Sequence, residues 1–165
     1  MSTINLGKGS SKFYGNLIKA YLKSHEEVRV VAGGLRMNLG VWVYYFASKE
    51  HKVSKPRVSY TEDDRIHTVF EFTVYKGEPH EYVRKSHDAL EVKISKLSSI
   101  KTLRSVIYNA NDIKIVAAGA LCYRALFLST FAFKYGYELQ DIYIFMTEAN
   151  RVGIEIKLYK PSVDE

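Results

Sequence analysis

The chain has 165 residues, 47% of them hydrophobic, and a formal net charge of +6, which is material for one ordinary domain or two small ones packed together. No apolar run approaches the roughly 20 residues a bilayer needs, and Met1–Asn5 has neither the charged nor the apolar region of a secretory signal. The only cysteine, Cys122, excludes an internal disulfide and fits a reducing compartment. The expectation is an intracellular protein, nuclear or cytoplasmic, with no membrane partner.

In chain order, a short strand is expected near Ile4–Leu6. Ser10-Ser11 then marks a helix start, because a serine hydroxyl accepts a hydrogen bond from the free N–H groups of a first turn. The helix behind it has an apolar stripe at Phe13, Leu17, Ala20 and Tyr21, with the spacing of one helical face. The β-branched run Val28–Val31 reads as a strand, closed by Ala32-Gly33-Gly34, where glycine supplies the freedom for a tight strand-to-helix turn. A second helix follows near Asn38–Lys49. It is apolar almost all round (Val41, Trp42, Val43, Tyr44, Tyr45, Phe46), so burial on more than one side is expected. Strands near Arg57–Tyr60 and His67–Tyr75 close the segment across Thr61–Arg65. In the latter, Val69, Glu71, Thr73 and Tyr75 alternate with Phe70, Phe72 and Val74, the pattern of a half-buried antiparallel strand.

The pattern then recurs. A polar stretch containing Pro79 comes first. Val92–Ile94, Ser98-Ser99, a stripe of Ile100, Leu103 and Ile107, the strand Ile113–Val116, Ala117-Ala118-Gly119, an apolar helix near Tyr123–Lys134, and strands near Asp141–Thr147 and Gly153–Tyr159 follow in the same order. Val28–Leu35 aligns with Ile113–Ala120 at an offset of 85 residues, Phe70–Lys76 with Ile154–Lys160 at 84, and Lys8–Ser11 with Lys96–Ser99 at 88. Amphipathic strands resemble one another by nature, which accounts for one such match but not for three in register. The expected organisation is repeat one over 1–76, a linker over 77–90 and repeat two over 91–165. Residues 1–76 carry +5 (12 basic, 7 acidic) and residues 91–160 carry +4 (10 basic, 6 acidic), while 77–90 carries −1. Both copies therefore favour anionic partners.

Three places in this order carry a family resemblance. Leu6-Gly7-Lys8 leading into Phe13-Tyr14-Gly15-Asn16, Val30-Val31-Ala32-Gly33-Gly34 before an apolar helix, and Glu71 and Glu155 inside the closing strands resemble the Alba superfamily, which covers archaeal chromatin proteins and eukaryotic RNA-binding relatives. The resemblance spans nearly the whole chain. It implies an α/β (α+β) fold of two tandem βαβαββ Alba-like units that form an intramolecular pseudo-dimer, with the second helices meeting between them. It also implies nucleic-acid binding, and a ribonucleoprotein setting like that of Alba-like pairs in RNase P and RNase MRP. The family's loop lysine pair is represented by one lysine per copy, Lys8 and Lys96. Its two arginines after the second strand fall on Gly33 and Leu35, and on Ala118 and Ala120, with Arg36 and Arg124 nearby.

The residues support binding independently. Lys12, Asn16, Lys19 and Lys23 are spaced to share one helix face, with Lys8 just before it. In the second copy Lys101, Arg104 and Tyr108 form a similar stripe behind Lys96. Several cations on one surface displace counterions from phosphates, although a lysine stripe is also the ordinary filler of a solvated helix face. The candidate nucleic-acid-binding residues are Lys8, Lys12, Lys19, Lys23, Arg36, Lys96, Lys101, Arg104 and Arg124. The 13 tyrosines are either core and interface residues, as at Tyr44, Tyr45 and Tyr123, or stacking platforms for bases. The acidic Glu62-Asp63-Asp64 at a hairpin tip repels phosphate and disfavours duplex DNA. The five histidines and Cys122 form no metal-ligand spacing, and neither a nucleophile elbow nor a P-loop is present, so neither an enzyme nor a cofactor or metal site is expected. RNA binding is favoured over DNA, with RNA (or DNA) and ribonucleoprotein subunits as partners. The alternatives are a protein-interaction scaffold on a degenerate tandem Alba core, and a chromatin-type DNA-binding protein.

Overall fold

A computed structural model describes residues 2–80, 89–95 and 110–161. The chain divides into two compact units, Met1–Val83 and Arg84–Glu165. The division falls inside the polar stretch 77–90. The architecture is mixed α/β, with one sheet in each unit.

The first unit runs β1 (Ser2–Asn5), α1 (Ser11–Leu22), β2 (Glu27–Gly33), α2 (Met37–Glu50), β3 (Lys52–Val53), β4 (Arg57–Glu62) and β5 (Ile66–Tyr75). Strand β1 lies parallel to β2, β5 antiparallel to β2, and β3 and β4 both pair antiparallel with β5. β3 and β4 form one broken line. Val53 faces Val74 and Arg57 faces Glu71, so three residues, Ser54-Lys55-Pro56, stand against two, Phe72 and Thr73. That is a β-bulge, with a buried proline where a ladder N–H is not needed. Ser54 pins it: its N–H donates to Thr73 O at 2.8 Å, and its Oγ accepts from the Thr73 N–H at 2.9 Å. The core lies between the sheet and the two helices, on Val28, Val30, Phe70, Phe72 and Val74 from the strands and Ile18, Met37, Val41 and Val43 from the helices.

The buried stripe of α1 is Tyr14, Ile18 and Leu22, not Phe13, Leu17, Ala20 and Tyr21; Phe13 is 54% exposed. Both series have helical spacing, so periodicity leaves the phase open. The loop before the helix fixes it, because the Tyr14 hydroxyl accepts from the Gly7 N–H at 2.8 Å and donates to Lys8 O at 3.3 Å.

The second unit runs β6 (Leu90–Lys93), β7 (Asp112–Ala118), α3 (Cys122–Phe133), β8 (Glu138–Met146) and β9 (Val152–Tyr159), in the sheet order β6-β7-β9-β8. β6 is parallel to β7 and the other pairs are antiparallel, as in the first unit. The expected helix behind Ser98-Ser99 lies outside the described residues. Two finer details recur at the repeat offset. Gly34 (φ 56°) and Gly119 (φ 61°) both take left-handed backbone at the strand-to-helix turn, where a side chain is strained. Arg29 pairs with Glu71, and Lys114 with Glu155 at 3.4 Å, on the sheet face away from the helices.

The two copies differ in how that face is treated. In β5 burial alternates, with Glu71, Thr73 and Tyr75 half-buried. In β9 seven consecutive residues, Val152–Leu158, are buried, and Glu155 is 2% exposed. Phe145 contributes to this cover, since a Cβ on Gly153 would stand 2.6 Å from its ring. The second helices also differ. α3 buries seven residues, including Ser129 and Thr130, whereas α2 leaves Phe46 44% exposed with Trp42 stacked on it at 5.6 Å. Burial of α2 on more than one side was expected; its outer aromatic row is instead partly open.

Candidate functional site

Parallel neighbours send the loops that follow them to the same edge of a sheet. β1 and β2 are such a pair, and the Leu6 N–H donates to Val31 O at 2.8 Å just beyond their ladder. The Gly7–Ser10 loop and the Gly34–Arg36 turn therefore share one end of the first unit. β5 begins at that end too, because Val69 faces Gly33. The β4–β5 hairpin tip, Asp63–Arg65, is carried there as well.

The loop is tightly built. Ser10 caps α1, its Oγ accepting from the Phe13 N–H at 3.1 Å. Gly9 has φ 151° and lies under two rings: a Cβ there would sit 3.0 Å from the Tyr14 ring and 3.3 Å from the Phe13 ring. With Gly9 held below and Gly7 and Lys8 clamped by the Tyr14 hydroxyl, the backbone at Lys8 is fixed while its side chain is exposed.

Lys8, Lys12, Lys19, Lys23 and Arg36 are all exposed. Lys12, Asn16, Lys19 and Lys23 lie within about 60° of one another around α1 at 100° per residue, on the side away from Tyr14, Ile18 and Leu22. Lys19 also meets Glu50 of α2 at 3.1 Å. Both side chains are about half exposed, so this pair contributes little to stability and leaves the lysine available. Between the helices lies a cleft of about 240 Å³, lined by Lys12, Asn16 and Lys19 of α1 and by Phe46, Glu50 and His51 at the end of α2. An exposed aromatic ring thus borders the lysine stripe.

The hairpin tip is self-contained. The Arg65 N–H donates to Asp63 Oδ1 at 3.1 Å, and His67 Nε2 lies 3.2 Å from the same oxygen. Hydrogen bonds from Asp64 and from the Arg65 backbone, with the charge of His67, bring the Asp63 carboxyl down to about 2. The Asp63 carboxyl is therefore held in its ionised form through the ordinary pH range. Asp63, Asp64 and His67 come within 4.8 Å of one another, but all are at least partly exposed.

In the second unit Arg124 is half-buried in the first turn of α3 and already engaged. Lys96, Lys101 and Arg104 lie outside the described residues. Sequence reading missed Arg151, which is exposed beside the β7–α3 turn with its Cδ 3.4 Å from where a Cβ on Gly119 would stand. It also missed Arg29, Lys55 and Arg57 on the outer sheet face of the first unit. The signal for the last two was the Lys55-Pro56-Arg57 run between two strand patterns, since a proline there marks a bulge; Arg29 joins them only through strand register.

Among the described residues no helix is long and apolar enough to cross a membrane. No protein-family model matches the chain, and no curated protein matches it.

Proposed function

We propose that this protein binds single-stranded or looped RNA in preference to duplex DNA, through the Gly7–Ser10 loop and the lysine face of α1, as a non-catalytic subunit of a ribonucleoprotein. The observation that carries this reading is the unbroken exposed row Lys8, Lys12, Lys19 and Lys23. It begins at a clamped helix N-terminus, where backbone N–H groups also favour an anion, and it borders a cleft with the Phe46 ring at its wall. A run of cations beside an accessible ring suits a strand whose phosphates and bases are both reachable. The choice of RNA over duplex follows from Asp63 and Asp64 standing at the same sheet edge, since a duplex lying across that edge would bring a second row of phosphates against them.

We further propose that the two βαβαββ-like units act as one Alba-like pseudo-dimer. The repeated sheet order, glycine turns and ion pairs support this. Linking the halves raises the effective concentration of one for the other to roughly millimolar. A scaffold reading is favoured by one observation, the 74% exposure of Leu35 at the strand-to-helix turn, where an apolar side chain suits a protein partner better than a phosphate.

Titration of fluorescently labelled single-stranded RNA at 50 mM and 200 mM salt separates these readings. At about 0.7 counterions per phosphate contact on single strands, Lys8, Lys12, Lys19 and Lys23→Ala together should lower the slope of log affinity against log salt by about 3. Wild type should then lose about 50-fold more affinity than the variant across that interval. An unchanged slope in the variant refutes the α1 face. Absence of binding by both proteins at 50 mM salt replaces RNA binding with the scaffold reading.

A further inference from the structure

The outer sheet face of the first unit holds a group of cations that the α1 surface does not use. Arg29 on β2, Lys55 in the bulge and Arg57 on β4 line an open depression of about 470 Å³ together with Ser54, Glu71, Thr73 and Tyr75. The register explains the gathering. Arg57 faces Glu71 and Arg29 faces Thr73, and Glu71, Thr73 and Tyr75 are two apart on β5, so all five point to the side away from the helices. The pinned bulge turns Lys55 outward beside them. Lys52 stands at the rim, its Nζ 5.8 Å from the centre of the Tyr75 ring.

Charge is unbalanced here. Glu71 is committed to Arg29, accepting from its Nε at 2.6 Å as well as from a terminal nitrogen. One terminal nitrogen of Arg29, which lines the depression, lies outside this pair. Lys55 and Arg57 are exposed and have no ion pair among the described residues. Three cations against one carboxylate leave about two positive charges, which matches a phosphate group. Guanidinium forks are the side chains best shaped to receive its oxygens. The volume falls in the range of small-molecule sites.

The second unit provides an internal contrast. Its sheet repeats the ion pair, Lys114 with Glu155. At the register position of Arg57, however, Tyr143 faces Glu155, and Lys114 is 17% exposed. The ion pair is thus common scaffolding, while the unpaired cations and the opening belong to the first unit.

We propose that this face is a nucleotide cradle, in which Lys55, Arg57 and Arg29 take a phosphate group and the Tyr75 ring takes the adjoining base. That the phosphate belongs to an RNA strand rests on the binding function proposed above; that it is a phosphate rests on the cradle alone. Two probes distinguish a strand from a free nucleotide: a uridine decamer and uridine 5′-monophosphate, each added to the isotope-labelled full chain while backbone amide resonances are followed. The decamer should shift the amides of Ser54, Lys55, Arg57, Thr73 and Tyr75. Lys55→Gln with Arg57→Gln should abolish those shifts and lower the salt slope for the decamer by about 1.4, two contacts' worth, with an unchanged melting temperature because both side chains are exposed. Tyr75→Leu should weaken the decamer while leaving the salt slope intact.

The variant lacking the four α1-region lysines should retain the cradle shifts. If it does so while its decamer affinity equals that of wild type, the α1 face fails and the cradle stands. If the monophosphate shifts the cradle and the decamer does not, the strand assignment is overturned in favour of a free nucleotide. If neither probe moves those amides, the cradle is overturned.

Discussion

Val43→Asp tests whether the two units behave as one body. Val43 is 1% exposed on the inner face of α2. Losing its burial costs about 2 kcal/mol, and placing a carboxylate there without a partner adds several more, so about 5 kcal/mol is the working figure. That is comparable to the whole stability of a small domain. The chain supplies one natural reporter in each unit: its single tryptophan, Trp42, in the first, and its single cysteine, Cys122, in the second. Cys122 is 1% exposed, its Sγ donates to Val152 O at 3.5 Å, and burial pushes its thiol up to about 12. It should therefore react with an alkylating reagent only when the second unit opens. If the units unfold together, a 5 kcal/mol loss in the first raises the rate of Cys122 alkylation by about three and a half orders of magnitude, at 1.4 kcal/mol per tenfold. If they are independent, that rate does not move while the Trp42 fluorescence transition shifts. Leu128→Asp, at a buried position of α3, makes the reciprocal test. Unchanged Cys122 protection in Val43→Asp refutes the pseudo-dimer.

Gly34→Ala should cost about 1 kcal/mol for left-handed backbone alone, since no heavy atom lies within 4 Å of the added Cβ; thermal melts read it as a fall of several degrees. Lys114→Met should destabilise by more than about 1 kcal/mol in chemical denaturation, because it removes a cation from beside a carboxylate that is 2% exposed. The equivalent Arg29→Met should cost less than about 1 kcal/mol, its side chain being 46% exposed and Glu71 21%; equal losses in the two variants would contradict the difference in burial between the faces. The hairpin tip should resist mild acid. With the Asp63 carboxyl at about 2, below its ordinary 3.8, the stability it contributes is present above pH 3.8 and is lost as pH falls toward 2. Neutralising Glu62, Asp63 and Asp64 to their amides should tighten duplex DNA binding at pH 7, read by titration of a labelled duplex; an unchanged affinity would refute repulsion at the tip.

The sequence made the elements and their repetition legible because those rest on local chemistry. Ser10 caps a helix, Gly34 and Gly119 turn a strand into one, and Phe70, Phe72 and Val74 alternate with polar residues on β5. Legibility ended where a choice depended on distant groups. The phase of α1 was set by a hydroxyl bond from Tyr14 to a loop six and seven residues back, which the 3.6-residue period does not encode. Ile154–Leu158 reads as an alternating strand just as Phe70–Val74 does, yet one is covered on both faces and the other on one, since cover is a property of what packs above the sheet. The lysine face of α1 could be found because its members are three and four apart. The cradle could not be found in that way: Arg29, Arg57 and Glu71 meet only through strand register.

The two copies carry similar net charge, +5 over residues 1–76 and +4 over 91–160, so totals do not distinguish the halves. Placement does. Of the described basic residues in the second unit, Lys93, Lys134, Arg151 and Lys160 are exposed, while Lys114 is 17% exposed and engaged with Glu91 and Glu155, Lys157 is buried, and Arg124 is half-buried and engaged. In the first unit Lys8, Lys12, Lys23, Arg36, Lys55 and Arg57 are all exposed. A charge held in a buried ion pair displaces no counterion from a phosphate, while an exposed one can. Among the described residues the exposed cations therefore lie chiefly in the first unit, and under the binding function proposed above they would carry most of the counterion release. The second unit keeps the same sheet order and ion pair with its outer face closed, and under the pseudo-dimer reading its part is to hold the first unit folded.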